Sequence, residues 1–248
     1  MAKVLVQDAA GQSLSPCPLE KAERLVASGD ARWISRDPLT IRLARRIALP
    51  EPTQKPAHPL RERRLLLHIC CGPCSTFTVS HFQSVGAEVT GYWYNPNIHP
   101  FSEHERRRES LLDYTAEIGL NMLWEPGYDL QEFLRRINGR ELFGQRCLAC
   151  YRMRLEKAVQ TAARHDFDAF STTLLISPYQ SLEALEEIGK ELGAEYGVMF
   201  YFENLRRGFA QHHQLAGEHG LYRQVYCGCI YSEWESRDAK ADTRARRG

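Results

Sequence analysis

The chain has 248 residues, of which 43% are hydrophobic and 25% charged, as is usual for a globular protein and too apolar for a disordered one. No apolar run approaches the roughly 20 residues that a membrane span needs, and the first residues lack the apolar stretch of a secretory signal. These features argue against a membrane or secreted protein, and we expect a cytoplasmic one with a single ordinary domain plus a small module.

Charge is unevenly distributed along the chain. Residues 1–64 carry 12 Lys/Arg against 7 Asp/Glu, a net charge of +5, and residues 236–248 carry +3. Residues 65–235 carry −7. Basic ends on an acidic body suggest a polyanionic partner held by the ends, although ordinary solvated charge explains the asymmetry equally well.

Residues 1–47 are predicted to form a small mixed α+β module. Short alternating segments predict three strands, at residues 4–6, 31–34 and 39–43. An amphipathic segment over residues 19–28, stopped by Gly29, predicts a helix between the first two strands. Four prolines then follow in a short stretch, and we place a stiff linker at residues 48–63.

From residue 64 onward, strands alternate with helices. The predicted strands are residues 65–69, 89–94, 169–174 and 198–202, and the predicted helices are residues 75 onward, 101–118, 147–165 and 182–192. This order predicts an α/β domain over residues 64–235, Rossmann-like, with a mainly parallel sheet. A basic tail is expected over residues 236–248. Ligands on such sheets bind at the carboxyl ends of the strands.

Seven of the eight cysteines fall in three clusters, and Cys17 stands alone. The clusters are Cys70, Cys71 and Cys74; Cys147 and Cys150; and Cys227 and Cys229. The first two lie where predicted helices begin, and helix N-termini stabilise negative charge. Two such ends facing each other would make a socket for an Fe–S cluster, for which four thiolates suffice. Zinc also suits two pairs of close cysteines, and buried thiols without a metal are a third interpretation.

The third cluster has a glycine between its two cysteines. A disulfide across so small a ring is strained, glycine relieves the strain, and strained disulfides tend to be catalytic or regulatory. Two further metal ligands are an equally good interpretation of Cys227 and Cys229.

Five segments of the second domain occur in a recognisable order. They are LLLHICCGPCS (65–75), YNPNIHP (94–100), RCLACYRMRL (146–155), STTLLISPYQ (171–180) and YCGCIYS (226–232). Together they resemble the cobalamin-independent epoxyqueuosine reductases of the QueH type. The resemblance implies a tRNA-modifying oxidoreductase that reduces epoxyqueuosine to queuosine at wobble position 34, the last step of queuosine biosynthesis. It also implies two partners, a tRNA with a queuosine-type anticodon and an electron donor that the sequence does not name.

The same resemblance assigns roles by motif position. It implies that a [4Fe–4S] cluster is held by four thiolates: Cys70, Cys71, Cys147 and Cys150. It implies a redox-active disulfide between Cys227 and Cys229. Cys74 has no role in this assignment, so we expect a bystander, with a ligand of a second metal ion beside the cluster as the alternative.

Several aromatic residues and histidines lie in the motif segments. Candidate proton donors for the departing epoxide oxygen are Tyr179, His99 and Tyr151, and candidates for stacking on an extruded base are Tyr92, Trp93 and Tyr94. For each of them, packing in the core is the favoured interpretation.

The first module carries a second resemblance. Residues 4–17, 22–29 and 36–43 are similar to the PLMP (RRXRR) module that precedes HNH domains in transposon-encoded RNA-guided nucleases. No nuclease motif follows here, so the resemblance implies nucleic-acid contact without cleavage, with Cys17 structural. Six arginines near the linker are expected to hold tRNA phosphates: Arg42, Arg45, Arg46, Arg61, Arg63 and Arg64.

Two functions of other classes remain open from the sequence. One is a zinc-stabilised nucleic-acid-binding protein without catalysis, and the other is an iron–sulfur tRNA sulfur transferase. Iron content separates the first from an Fe–S enzyme. ATP dependence separates the second, because sulfur transfer to a base needs activation and epoxide reduction does not.

Overall fold

The computed structural model describes residues 3–47 and 57–245, with backbone alone over residues 239–245. The chain divides into two compact units, with the boundary between residues 56 and 57. Most of the predicted linker, residues 48–56, and the last three residues of the predicted tail lie outside the described residues. Residues 57–63 belong to the second unit, where Leu60 is fully buried.

The first unit is a four-stranded mixed sheet with one helix. Its elements are β1 (Lys3–Gln7), β2 (Ser13–Pro18), α1 (Leu19–Ala27), β3 (Ala31–Arg36) and β4 (Leu39–Leu43). The strand order is β2-β1-β4-β3, and β1 and β4 run parallel. β2 was not predicted, because its two prolines argue against a strand; the sheet accepts them since β2 is an edge strand. Cys17 is buried in this unit's apolar core.

The second unit is built on a five-stranded, all-parallel sheet, which confirms the predicted α/β class. Its first half contains β5 (Arg64–His68), α2 (Gly72–Ser84), β6 (Glu88–Trp93), α3 (Phe101–Glu117), β7 (Met122–Trp124) and α4 (Leu130–Ile137). Its second half contains α5 (Gln145–Arg164), β8 (Ala169–Thr172), α6 (Leu182–Tyr196), β9 (Met199–Phe200), α7 (Phe209–Glu218) and α8 (Ile230–Ala245).

The predicted boundaries differ from the structure at several element ends; the strand predicted over 198–202, for example, is limited to Met199–Phe200. The strand predicted over 169–174 ends at Thr172, because the hydroxyl of Thr172 accepts a hydrogen bond from the Leu174 N–H and starts a 3₁₀ turn. The helix after β5 begins at Gly72 rather than near residue 75, with Cys71 as its extended N-cap residue and a proline in its first turn. α8 runs without a break through residue 236, where the tail was placed.

The order of the strands positions the site. The sheet runs β7-β6-β5-β8-β9, so the chain adds strands on one side of β5 and then returns to add the others on the opposite side. A crevice forms at such a switch point, outside the carboxyl ends of β5 and β8. Within the described residues, no helix is both long enough and apolar enough to cross a membrane.

Candidate active site

The first cysteine cluster lies at the carboxyl end of β5. Cys71 is the N-cap residue of α2 and Cys74 lies in that helix's first turn, so the two face each other across the cap. Together with Cys70 they form the one group of three such close metal-ligating side chains in the part of the chain that the structure describes. Their three Sγ atoms lie within 4.8 Å of one another, and those of Cys70 and Cys71 are 3.7 Å apart. Cys74, to which the motif pattern assigns no role, is therefore part of this thiol triad.

Hydrogen bonds make the triad a site for negative charge. The Thr173 hydroxyl, just beyond β8, donates to Cys70 Sγ at 3.2 Å, and Gln224 Nε2 donates to Cys71 Sγ at 2.9 Å. Hydrogen bonds from the Cys71 and Cys74 thiols lower the pKa of Cys70 well below its usual value. The hydrogen bond to Cys70 in turn raises the pKa of Cys71 to about 12. The triad therefore favours one thiolate shared among three sulfur atoms.

Buried polar side chains tie the strand ends together beneath the triad. His68 is fully buried, with Nδ1 2.9 Å from the Thr172 hydroxyl and Nε2 3.3 Å from the Tyr94 carbonyl oxygen. Burial lowers the pKa of His68 to about 3, so it stays neutral. Asn95 Nδ2 donates to the Ile69 carbonyl at 2.9 Å. The end of β5 is therefore fixed to both of its neighbours.

The second cluster lies at the start of α5. Gly144, with φ of +89°, precedes the helix, and Cys147 and Cys150 lie in its first two turns. Burial raises the pKa of the Cys150 thiol to about 12, and the nearby charges of Cys227 and Cys229 add to the increase. The second cluster thus lies within electrostatic reach of the third.

The third cluster lies on the loop before α8, and this loop is held from several sides. Arg107 donates to the carbonyl oxygens of Cys227 at 2.9 Å and Tyr226 at 3.2 Å, and the His99 N–H donates to the Gly228 carbonyl at 2.8 Å. Gly228 has φ of +154°, and a Cβ there would lie 2.9 Å from Asn97 Nδ2. Glycine between the two cysteines is therefore required by close packing as well as by backbone conformation.

The thiols of Cys227 and Cys229 are both free in the structure. Gln180 Nε2 donates to Cys227 Sγ at 3.5 Å, and the Ser232 N–H donates to Cys229 Sγ at 3.4 Å. Each sulfur therefore has its own donor. Their pairing as a disulfide stays a prediction.

One cavity joins the first and third clusters. It has a volume of about 430 Å³ and is lined by Cys70, Cys74 and Cys227. Cationic and aromatic side chains also line it: Arg107, Arg154, Tyr179, Phe209, His212, His213 and Tyr226. A small planar group could enter this cavity and meet thiols on two sides.

The structure separates the aromatic candidates. Tyr92, Trp93 and Tyr94 are at most 7% exposed, so their interpretation as a stacking platform is wrong and their interpretation as core is confirmed. Tyr179 lines the cavity and is 78% exposed.

Neither of the other two proton-donor candidates is freely exposed. The Tyr151 hydroxyl is buried and donates to Gln180 Oε1 at 2.9 Å. His99 is buried, and its Nδ1 accepts from the Ile230 N–H at 3.3 Å.

Some residues of the site were missed from the sequence. Thr173, Gln180 and Gln224 contact thiols from distant segments, and nothing in their local pattern indicates this. Arg154 had a usable signal. It lies four residues after Cys150 and seven after Cys147, and this spacing places all three on one face of α5.

Comparison with known proteins gives a consistent match. The family model "Epoxyqueuosine reductase QueH" matches residues 65–235. Proteins of that same name are similar to this chain in Dehalococcoides mccartyi, with 38% identity over 69% of this chain and 93% of that protein, and in Thermotoga maritima, with 35% identity over 74% and 97%. A third, from Haemophilus influenzae, is 32% identical over 93% of this chain and 92% of its own length. This last match extends into the first unit, whereas the family model does not.

Proposed function

The chain belongs to the QueH family of epoxyqueuosine reductases, and from this premise we propose that it reduces epoxyqueuosine to queuosine at the wobble position of tRNA. The reaction takes two electrons and two protons, breaks both C–O bonds of the epoxide, and yields an alkene and water. The observation that carries the proposal is the cavity at the sheet's switch point, which is lined by thiols of both the first and the third cluster.

We propose that Cys70, Cys71, Cys147 and Cys150 hold a [4Fe–4S] cluster. The donor set supports this, because soft thiolates at helix N-termini suit an anionic iron–sulfur group. When bound, the cluster would supply electrons and a Lewis-acidic iron for the epoxide oxygen.

The alternative that we propose for Cys74 is a ligand of a second metal ion beside the cluster, because its sulfur atom lies within 4.8 Å of those of Cys70 and Cys71. A metal–sulfur bond of about 2.3 Å in tetrahedral geometry sets two thiolates about 3.8 Å apart. The sulfur atoms of Cys70 and Cys71 are 3.7 Å apart, which is the spacing of two thiolates on one metal atom, whereas two different irons of the proposed cluster would hold them further apart.

Cys227 and Cys229 are proposed as the redox pair of this site. A dithiol that closes to a disulfide releases two electrons and two protons, the number that the epoxide consumes. The glycine between them gives the small ring the conformational freedom it needs. An external electron donor would then reduce the disulfide again.

Tyr179 is the proposed proton donor that the structure leaves open to the cavity, and His213 lines the same cavity. The Tyr179 ring also contacts Phe209 edge-on, with 6.2 Å between centroids. This pair offers an aromatic wall to an extruded base.

The first unit is proposed to contact tRNA phosphates. α1 covers one face of its sheet, and side-chain alternation places Lys3, Arg32 and Arg42 on the other. Arg32 and Arg42 are paired directly across β3 and β4, and Arg42 donates to Gln7 Oε1 at 2.9 Å. The predicted arginines Arg61, Arg63 and Arg64 lie instead in the second unit.

The test is an assay on anaerobically purified protein with its iron restored. The protein is incubated with dithionite and tRNA that contains epoxyqueuosine, and the nucleosides are then separated by mass. Conversion to queuosine without ATP supports the proposal. A colourless protein that binds zinc and tRNA without conversion would indicate the binding protein, and ATP-dependent thiolation would indicate the sulfur transferase.

A further inference from the structure

Three arginines of the second unit are almost completely buried, Arg107, Arg146 and Arg154, and they differ in how their charge is balanced; Arg146 pairs with Glu235. Arg107 and Arg154 are each 2% exposed. Arg107 has a carboxylate partner, Glu103, at 2.7 Å, and donates to two backbone carbonyls as well. Its buried charge is fully accounted for by protein groups.

Arg154 has no such partner. Its one hydrogen bond is from Nη1 to Asn95 Oδ1 at 3.2 Å, while Nε and Nη2 have no partner among the described residues. A buried guanidinium with two unused donors is costly unless negative charge lies close by. The structure therefore calls for an anion next to Arg154.

Arg154 shares its cavity with thiols, which would supply this negative charge as metal-bound thiolates. The side chain lines the cavity of the first and third clusters. Burial opposes its charged form, yet the thiols of Cys150, Cys227 and Cys70 outweigh this and raise the pKa of Arg154 above its ordinary value. One thiol from each of the three clusters thus acts on this one cation.

We propose that Arg154 is the fixed counter-charge of the thiol centre and sets the reduction potential of the metal group held there. The inference rests on the proposed metal centre. Each electron adds negative charge to the centre, and a buried cation stabilises the reduced form more than the oxidised one. Arg154 acts on the centre through its charge in this role, since its unused nitrogens are buried and make no hydrogen bond within the described residues.

The experiment is an equilibrium redox titration of the iron-loaded protein, followed by visible absorption. Arg154→Met removes the charge at similar volume, and Arg154→Lys keeps it. The matched control is Arg152→Met, which removes an exposed arginine of the same helix, one that pairs with Glu191. Iron content and thermal unfolding are measured for every variant.

We expect Arg154→Met to shift the midpoint potential to more negative values, Arg154→Lys to shift it far less, and Arg152→Met to leave it unchanged. The shift should persist in high salt, because a buried charge is poorly screened. A neutral variant that keeps its iron and the wild-type potential would overturn the proposal, as would a lysine variant shifted as far as the neutral one.

If Arg154→Met loses its iron, Arg154→Gln takes its place as the neutral variant. If neither neutral variant holds iron while Arg154→Lys holds it at nearly the wild-type potential, the need for the charge is supported. Loss of iron in the lysine variant as well would overturn it. A wild-type protein without reducible iron would instead overturn the proposed metal centre itself.

Discussion

The two units of this chain obtain their structure in different ways. The first completes its sheet and core within residues 3–43, and its single cysteine is an ordinary core residue. The second brings thiols together from segments near residues 70, 150 and 228, each placed where a helix begins. The family model covers the second unit from residue 65 and leaves the first outside. The thiol site therefore depends on contacts between distant segments of the second unit, whereas the first unit folds from neighbouring ones.

The largest expected effect comes from removing a thiol of the second cluster. Cys147→Ala should abolish the visible colour, most of the iron and the reductase activity, with a rate loss above about 100-fold, because a methyl group cannot replace the thiolate of this proposed cluster ligand. Iron analysis and the nucleoside assay measure the two losses.

The matched control is Cys17→Ala in the first unit, which removes a thiol that belongs to no proposed metal site. It should keep full iron and activity and lose some stability, because Cys17 is buried among apolar side chains. Equal loss of iron in Cys147→Ala and Cys17→Ala would show that iron binding does not depend specifically on the thiols of the second unit.

The next largest effect distinguishes the proposed redox role of the third cysteine cluster from the proposed metal-binding role of the first two. Cys229→Ser should keep its iron yet lose turnover with the biological electron donor, because one sulfur cannot close a disulfide. A strong chemical reductant such as dithionite should restore part of the rate. Iron analysis decides the matter, since a serine variant without iron would make Cys229 a ligand.

A smaller effect is expected at the glycine of the same loop. Gly228→Ala forces a Cβ against Asn97 and requires a strained backbone, at a cost of about 1–3 kcal/mol. The reductase rate should fall by about tenfold to a hundredfold while iron is retained. Gly217→Ala on α7, where nothing lies within 4 Å of the added methyl group, is the control and should leave the rate unchanged.

The smallest effect on rate belongs to the first unit. Arg32→Ser with Arg42→Ser should weaken tRNA binding and reduce the slope of log affinity against log salt by about 1.4–1.8, since each lost phosphate contact removes about 0.7–0.9. The rate at saturating tRNA should not change, because uniform binding affects KM rather than kcat. The control is Lys21→Ser with Arg24→Ser on α1.

Fluorescence anisotropy over a salt series gives both slopes for these two double variants. If the α1 variant loses as much slope as the sheet variant, the open sheet face has no special role. If neither variant loses any, the first unit makes no phosphate contact through these residues.

The sequence was sufficient for features that depend on local pattern. The apolar run of β5, the proline and glycine that follow it and the helix pattern of α5 placed the first two clusters at strand ends and helix starts. In the second unit, the strand β7 and the helices α4, α7 and α8 were not predicted. The three residues of β7 give no period, and the charged helix α8 has no apolar stripe.

Contacts between distant segments could not be derived in that way. The place of Cys74 in the triad depends on the cap geometry at Cys71, and the donors on Cys70 and Cys71 come from Thr173 and Gln224. The unbalanced charge of Arg154 likewise becomes visible only when its neighbours are known. The sequence shows which residues can bind a metal or react, and the fold shows which of them lie close enough to interact electrostatically.

The central position of β5 has a consequence for how the chain is made. β5 is the first strand of its sheet to leave the ribosome, but its partner β8 and the Thr173 hydroxyl come about a hundred residues later. At roughly 5–20 residues per second, this wait lasts on the order of 5–20 s. Gln224, the donor to Cys71, arrives later still. The three neighbouring thiols therefore stay uncovered on the growing chain long after the first unit is complete, and oxidants reach them most easily during synthesis.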